Sequence, residues 1–399
     1  MTRSASADSA RRPEHYSHDF RSLTGLRGIA ALWVLSYHAW VAAKPRELLL
    51  DLPILGQIEY HPLFGCGWAG VQLFFTLSAF LLTLPYARHS LDHDTPRPDR
   101  RRFILRRFAR VFPAYYCQAI ILLGIALWAG AMSTDSLRVV PHLLTMNFLP
   151  EPLGYGMGNE LNGVWWSLPI ELSFYMVLPF IAPMATGAFR WLFFVGLIAI
   201  TVCWRYAVME LAPSYTMVLW FSQLPGSLDS FAVGMLAACL YAKFENLCEA
   251  DRSRVCRAGP IFVAISLVGI VALVYWLDYI YWLYRTQHLI SYVWTPLLSI
   301  FYGTVIFFGA AGNSFLNLML SNRISFSIGV ISYGIYLWHL PITNWIDASG
   351  LFSSLPGYLF QQYWLLMFAA SGVLAWISWR WIELPALRAV GKRFQERAP

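Results

Sequence analysis

Charge is what this sequence has least of. Only 13% of its 399 residues are Asp, Glu, Lys or Arg, where a soluble domain carries about 25%. The shortage argues against a string of soluble domains, and no gap of soluble-domain size separates the apolar runs. The six cysteines (Cys66, Cys117, Cys203, Cys239, Cys248 and Cys256) form no CxxC pair. They read as small apolar fillers, not as a disulfide framework or a metal site. No P-loop, GxGxxG, HExxH or GxSxG pattern stands in a sensible context. No Lys lies deep in an apolar run, which argues against a retinal-type Schiff base. Residues 1–21 are rich in Ser and Arg and lack the apolar stretch of a cleaved signal peptide.

What is present is apolar and aromatic. Hydrophobic residues make up 58% of the chain, with 18 Trp, 21 Tyr and 27 Phe, and the mean hydropathy is +0.51. A spanning helix needs about 20 mostly apolar residues. Such runs recur at 26–43, 66–86, 111–131, 164–184, 191–209, 215–242, 259–280, 291–311, 326–346 and 357–382. The expectation is an all-α integral membrane protein of about ten transmembrane helices, with both termini cytoplasmic, in the plasma or inner membrane. Its parts are a disordered cytosolic N-terminus (1–22), a membrane domain (23–387) and a basic cytosolic tail (388–399). The net charge of +7 fits this topology without nucleic acid as a partner. With both ends inside, the inner segments hold 22 of the 29 Lys and Arg and the outer loops four, the bias that orients membrane proteins. Two long loops stand out: a Pro-, Gly- and Asn-rich outer one at 132–163, expected to be non-helical or re-entrant, and a basic cytosolic one at 87–110.

Ionisable residues inside a membrane helix are expensive and point to function. Arg27, His38, Glu171, Asp229 and His339 are the notable ones. Arg27 and His38 are eleven residues apart, a spacing that returns to one helix face with a rise of about 16 Å. One face thus carries an anion anchor near the inner surface and a proton-transfer group beyond mid-membrane. The plain alternative is a snorkelling Arg and a His bonded to a neighbouring helix. His38, Glu171 and His339 each fall ~8–10 Å below the outer ends of their helices, counted at 1.5 Å per residue. A carboxylate beside an imidazole can fix its tautomer and raise its basicity; a structural polar network is the alternative. The stretch Arg106–Arg110 reads as positive-inside topology on counting alone, or as a phosphate site at the mouth of the bundle. His89, His93 and Asp94 look metal-like but lie in a solvated loop, and no metal is expected.

Taken together, these residues carry a family resemblance. Leu23 to Ala31 followed by His38 resembles an Arg–ten residues–His signature on a first helix. Gly70 to Phe80 follows, with Ala79 where a Gly is usual. Arg107 and Arg110 before Pro113 resemble an RxxR pair. Then come Trp166-Ser167-Leu168 with Glu171, Tyr175 and Pro179, the stretch Ile331 to His339, and Glu383 with Pro385. In this order, over Leu23 to Leu387, the chain resembles the acyltransferase 3 family of membrane O-acyltransferases. The resemblance implies transfer of an acyl group, acetyl first among them, from cytosolic acyl-CoA to a hydroxyl of an envelope glycan, glycolipid or secondary metabolite. It implies that Arg27, Arg107 and Arg110 meet the CoA and that His38, Glu171 and His339 carry the chemistry. His38 is the expected general base, with a covalent acyl-His step as the alternative and Glu171 orienting His38 or its partner. His339 is expected to stabilise the oxyanion or orient the acceptor. The rival reading is a transporter or flippase for an anionic substrate, which also uses a basic mouth and a buried polar cluster; no internal symmetry of the transporter kind is visible.

Overall fold

The computed structural model describes residues 20–43, 48–52, 56–92, 94–131, 138–149, 161–212, 217–280, 288–352 and 360–395. Most of the N-terminal segment, residues 132–137 and 150–160 of the expected outer loop, His93 and the last four residues lie outside these.

In chain order the elements are α1 (Arg21–Ala43), a hairpin of β1 (Leu49–Leu52) and β2 (Gly56–Glu59), α2 (His61–Gly65), α3 (Gly70–Leu91), α4 (Arg100–Trp128) and α5 (Val139–Thr145). A 3₁₀ turn (Gly163–Trp166) leads into α6 (Ser167–Thr186). There follow α7 (Arg190–Leu211), α8 (Met217–Phe221), α9 (Leu224–Glu245), α10 (Glu249–Tyr279), α11 (His288–Ala310), α12 (Ser314–Leu320), α13 (Arg323–Val330), α14 (Ser332–Ala348) and α15 (Phe360–Ser378). A π turn (Trp379–Glu383) passes into α16 (Leu384–Gln395).

Eight of the described helical segments are long and apolar enough to cross a membrane. The two expected spans outside that set are α1 and the segment formed by α13 and α14. These are the helices that carry Arg27, His38 and His339: α1 includes both Arg27 and His38, and the other segment is broken at Ile331 into helices of 8 and 17 residues. The architecture is all-helical apart from the hairpin, and the chain is a multi-pass membrane protein. Apolar side chains cover its outside: Ile120, Leu192, Val268 and Trp381 are 69–71% exposed, as lipid contact requires.

Four boundaries differ from expectation. Helix α4 begins at Arg100, so Arg106, Arg107 and Arg110 lie on its early turns and not in a loop; Asp99 caps it by accepting the Arg102 N–H at 2.5 Å. A hydropathy reading cannot tell a basic helix start from a basic loop, and α10 likewise begins at Glu249 with its basic residues already helical. The 132–163 segment contains a described helix, α5. The last helix runs to Gln395, well into the basic tail.

Helix α1 occupies the middle of the bundle, packed by α3, α12, α13, α14 and α15. Two apolar clusters flank it. One joins Val34 and Leu35 to Phe75, Phe174 and Phe231, whose rings stack with centroids 4.9 Å (Phe75–Phe231) and 4.1 Å (Phe174–Phe231) apart. The other joins Leu23 and Leu26 to Phe80, Trp294 and Leu298.

Candidate active site

The position of Arg27 depends on two glycines. A Cβ on Gly25 would collide with the Leu320 carbonyl, and one on Gly28 would lie 2.9 Å from the Gly329 nitrogen. Only the absence of side chains lets α1 close onto α12 and α13. Arg27, between these glycines, is therefore held at a fixed depth and rotation. Eleven residues on, the same unbroken helix presents His38.

His38 meets His339, with ring centroids 5.0 Å apart at 46°. Tyr37 lies edge-on to His38 at 4.9 Å, and Tyr336 is 5.7 Å from His339. His339 is fully buried. Its Nδ1 stands 3.1 Å from the Ile335 carbonyl; a carbonyl only accepts, so this nitrogen carries the proton. In the neutral ring Nε2 then holds a lone pair, and no partner satisfies it among the described residues.

The register of α14 comes from a proline. Pro341 has no N–H to give the Leu337 carbonyl one turn back. That carbonyl instead accepts from Gln118 Nε2 at 2.7 Å and Asn162 Nδ2 at 3.0 Å. Gln118 Oε1 in turn accepts from Asn162 Nδ2 at 3.2 Å and Trp165 Nε1 at 2.9 Å. A buried network of this kind specifies one arrangement, two residues from His339. The Tyr336 hydroxyl adds a tie, donating to the Val164 carbonyl at 2.9 Å and sharing a hydrogen bond with Ser167 Oγ at 2.7 Å.

Glu171 lies elsewhere than the expected level suggests. Its Oε1 accepts from Ser78 Oγ at 2.7 Å and from the Tyr175 hydroxyl, so its hydrogen bonds run to these two and not to His38. It stands instead in the field of Arg27 and Arg107. Arg107 and Arg110, three residues apart on α4, share a face and are electrostatic neighbours of Arg27. The Arg107 guanidinium sits over the rings of Tyr175 and Phe103, 5.8 Å from each centroid. Opposite Glu171, the buried Glu383 on the π turn accepts from Ser378 Oγ at 3.3 Å and feels Arg110 and Arg27. Three arginines thus stand among two carboxyl groups inside the protein.

The structure therefore places two clusters along one helix: a histidine pair toward one end of the bundle and an arginine cluster toward the other. Such a pairing fits an anionic carrier with a reactive tip. The family model described as "Acyltransferase domain" matches residues 20–380. This chain belongs to the acyltransferase 3 family.

The acyltransferase is similar to Nodulation protein 10 of Rhizobium leguminosarum bv. viciae, 26% identical over 94% of this chain and 95% of that protein. It is 25% identical to a putative acetyltransferase of Acidianus two-tailed virus, over 82% of this chain and 84% of that one. To O-acetyltransferase OatA of Staphylococcus aureus it is 22% identical over 86% of this chain, which spans 56% of that longer protein. No solved structure matches it.

Several partners in this acyltransferase escaped the sequence reading. Glu383 was visible as part of a terminal motif, but not as a member of the arginine cluster. Asp229 was visible as a buried acid, while its partner Arg205, 2.8 Å away, passed as an ordinary helix residue. Gln118 and Asn162 gave no signal beyond being polar near apolar runs. Among the described residues no group of three His, Cys, Asp or Glu converges as metal ligands would.

Proposed function

We propose that this membrane acyltransferase moves an acyl group, acetyl first among them, from acyl-CoA to a hydroxyl of an envelope glycan, glycolipid or secondary metabolite. The observation that carries this reading is the pairing on α1: Arg27 in the arginine cluster and His38 in the histidine pair, about 16 Å apart by helical rise. A pantetheine arm is about 15–20 Å when extended. CoA phosphates on Arg27, Arg107 and Arg110 would put the thioester beside His38. The names of two relatives, which include acetyltransferase, favour acetyl.

In this mechanism the acceptor O–H gives its proton to a ring nitrogen of His38 while its oxygen attacks the thioester carbonyl. The tetrahedral oxyanion collapses, the C–S bond breaks, and the departing sulfur takes the proton back from His38. Ester and free CoA are the products, and His38 is restored. The lone pair of His339 Nε2 suits it to accept a hydrogen bond from a ring N–H of His38, so His339 orients His38. Glu171, with Glu383, holds the arginines in place for phosphate. Both termini lie in the cytoplasm in this reading, so donor and acceptor enter from opposite ends.

The test uses purified protein with acetyl-CoA and crude envelope glycan and lipid extract, and measures free thiol. Thiol release that His38→Ala abolishes is expected. Undiminished release by a stably inserted His38→Ala protein would overturn the assignment.

A further inference from the structure

Helices α9 and α10 are joined by residues 246–248 yet scarcely pack on one another, while both pack on α11. They stand as two walls over α11 as a floor, and the slot between them has a volume of about 470 Å³. Gly303 lets the floor meet the first wall, since a Cβ there would lie 2.7 Å from Val233 Cγ1. Leu240 and Phe244 face the slot from α9, Val255 and Phe262 from α10, and Ile300 and Phe307 from α11. Thr304, in the floor, donates its hydroxyl to the Ile300 carbonyl at 2.9 Å, so the floor offers an occupant hydrocarbon. Leu240, Ile300 and Phe262 are 49%, 50% and 51% exposed. The slot therefore opens sideways onto the bilayer.

One end of the slot is charged. Lys243, in the last turn of α9, lines it. The Arg252 guanidinium, near the start of α10, stands over the Phe244 ring, 5.6 Å from its centroid. Two of the acids nearby are engaged by other arginines. Glu245 accepts from Arg88 at 2.6 and 2.8 Å, and Asp251 pairs with Arg254 at 3.0 Å. Glu249 is the remaining acid between Lys243 and Arg257, and Lys243, Arg252 and Arg257 outnumber it. A positive surplus therefore stands where the apolar slot ends.

Length and charge together choose the occupant. From Val233 to Lys243 the slot follows α9 for about 15 Å of helical rise. That is the hydrocarbon depth of one leaflet, half of about 30 Å. A small anion would use the cations and leave the slot unfilled. A lipid without net charge would fill the slot and gain little from Lys243 and Arg252. A chain with an anionic head uses both, and basic pockets between membrane helices favour such heads.

We propose that the slot between α9, α10 and α11 is a binding site for an anionic phospholipid, one acyl chain lying along Leu240, Ile300 and Phe307 and the phosphate between Lys243 and Arg252. The lipid would act as a wedge that completes the packing α9 and α10 do not make with each other. This site is separate from the histidine pair and the arginine cluster and does not depend on the acyl-transfer reading.

The experiment titrates the full chain, purified in a neutral detergent, with phosphatidylglycerol or with phosphatidylcholine of the same acyl chains, and reads occupancy by native mass spectrometry. One phosphatidylglycerol is expected to be held several-fold more tightly than phosphatidylcholine. Lys243→Gln and Arg252→Gln are each expected to weaken it about fivefold, the ratio that corresponds to about 1 kcal/mol per cation at a membrane surface. Thr304→Phe, which fills the floor, is expected to weaken both lipids. Lys392→Gln with Arg393→Gln, on α16, which packs against α4, is expected to change neither. A phosphatidylglycerol with a photoactivatable acyl chain is expected to crosslink to α9, α10 and α11, a result that needs no variant. Equal retention of the two lipids, an equal loss in the α16 variant, or crosslinks mainly outside these three helices would each overturn the proposal. Tighter retention of palmitoyl-CoA than of phosphatidylglycerol, lost in Thr304→Phe, would give the slot to a long acyl donor and overturn it as well.

Discussion

His38 and His339 come from helices three hundred residues apart in the chain and meet ring to ring, 5.0 Å between centroids. One lines a cavity and the other is sealed behind it. The half-buried member is thus placed to touch substrate and the sealed one to act through it. His38→Ala is expected to lower kcat by about 10²–10⁴-fold, the usual contribution of a general base, with acetyl-CoA affinity retained. His339→Gln is expected to lower kcat less than His339→Ala, because an amide can still accept a hydrogen bond. Steady-state thiol release with a separate CoA binding assay checks both.

The arginine cluster should govern the donor and not the acceptor. Arg107→Ala or Arg110→Ala is expected to raise the KM for acetyl-CoA by about tenfold or more, the worth of a charge-assisted hydrogen bond. Arg107→Lys should recover only part of it, since an ammonium lacks the planar fork that sits over Tyr175. Comparing acetyl-CoA with a short acetyl thioester that lacks phosphates isolates the effect: the mutants and the parent protein should use the short thioester equally.

Arg205 and Asp229 offer a test of stability. They are 2% and 0% exposed, so removing one partner strands the other. Asp229→Leu is expected to destabilise by about 3–5 kcal/mol. Replacing both together, as Arg205→Met with Asp229→Leu, should restore much of the loss. Thermal unfolding in detergent, compared across the four proteins of the cycle, gives the coupling.

Close packing at Gly25 predicts a different failure. A side chain there must push α1 away from Leu320. Gly25→Ala is expected to cost about 1–3 kcal/mol by overpacking and to raise the acetyl-CoA KM by displacing Arg27. The same substitution at Gly124, where the added Cβ meets nothing within 4 Å, should leave both quantities unchanged.

The sequence made some of this visible and hid the rest for physical reasons. The Arg27–His38 face was readable because one helix sets it, and helical rise and rotation are constants. The shared level of His38 and His339 followed from counting residues inward from helix ends. Counting assumes that every apolar run starts at the same depth and says nothing of rotation, which is why Glu171 was expected level with His38 yet bonds to Ser78 and Tyr175 beside the arginines. Arg107 and Arg110 were noticed as phosphate candidates. Their place on a helix was hidden because hydropathy treats a basic helical turn and a basic loop alike. The Arg205–Asp229 pair depends on how α7 and α9 pack, which neither helix specifies alone.

If Arg27 holds the CoA phosphates as proposed, the unbroken run of α1 from Arg27 to His38 would also work as a measuring rod. Its length matches the part of the donor that never varies, the arm between nucleotide and sulfur. Acetyl and longer acyl thioesters would therefore all arrive with their sulfur at the same depth. Whatever chain the acyl group carries must extend past His38, so chain-length preference falls to the walls beyond the rod. Changing those walls should retune which acyl group is accepted, whereas inserting a residue into the rod should disable every donor alike.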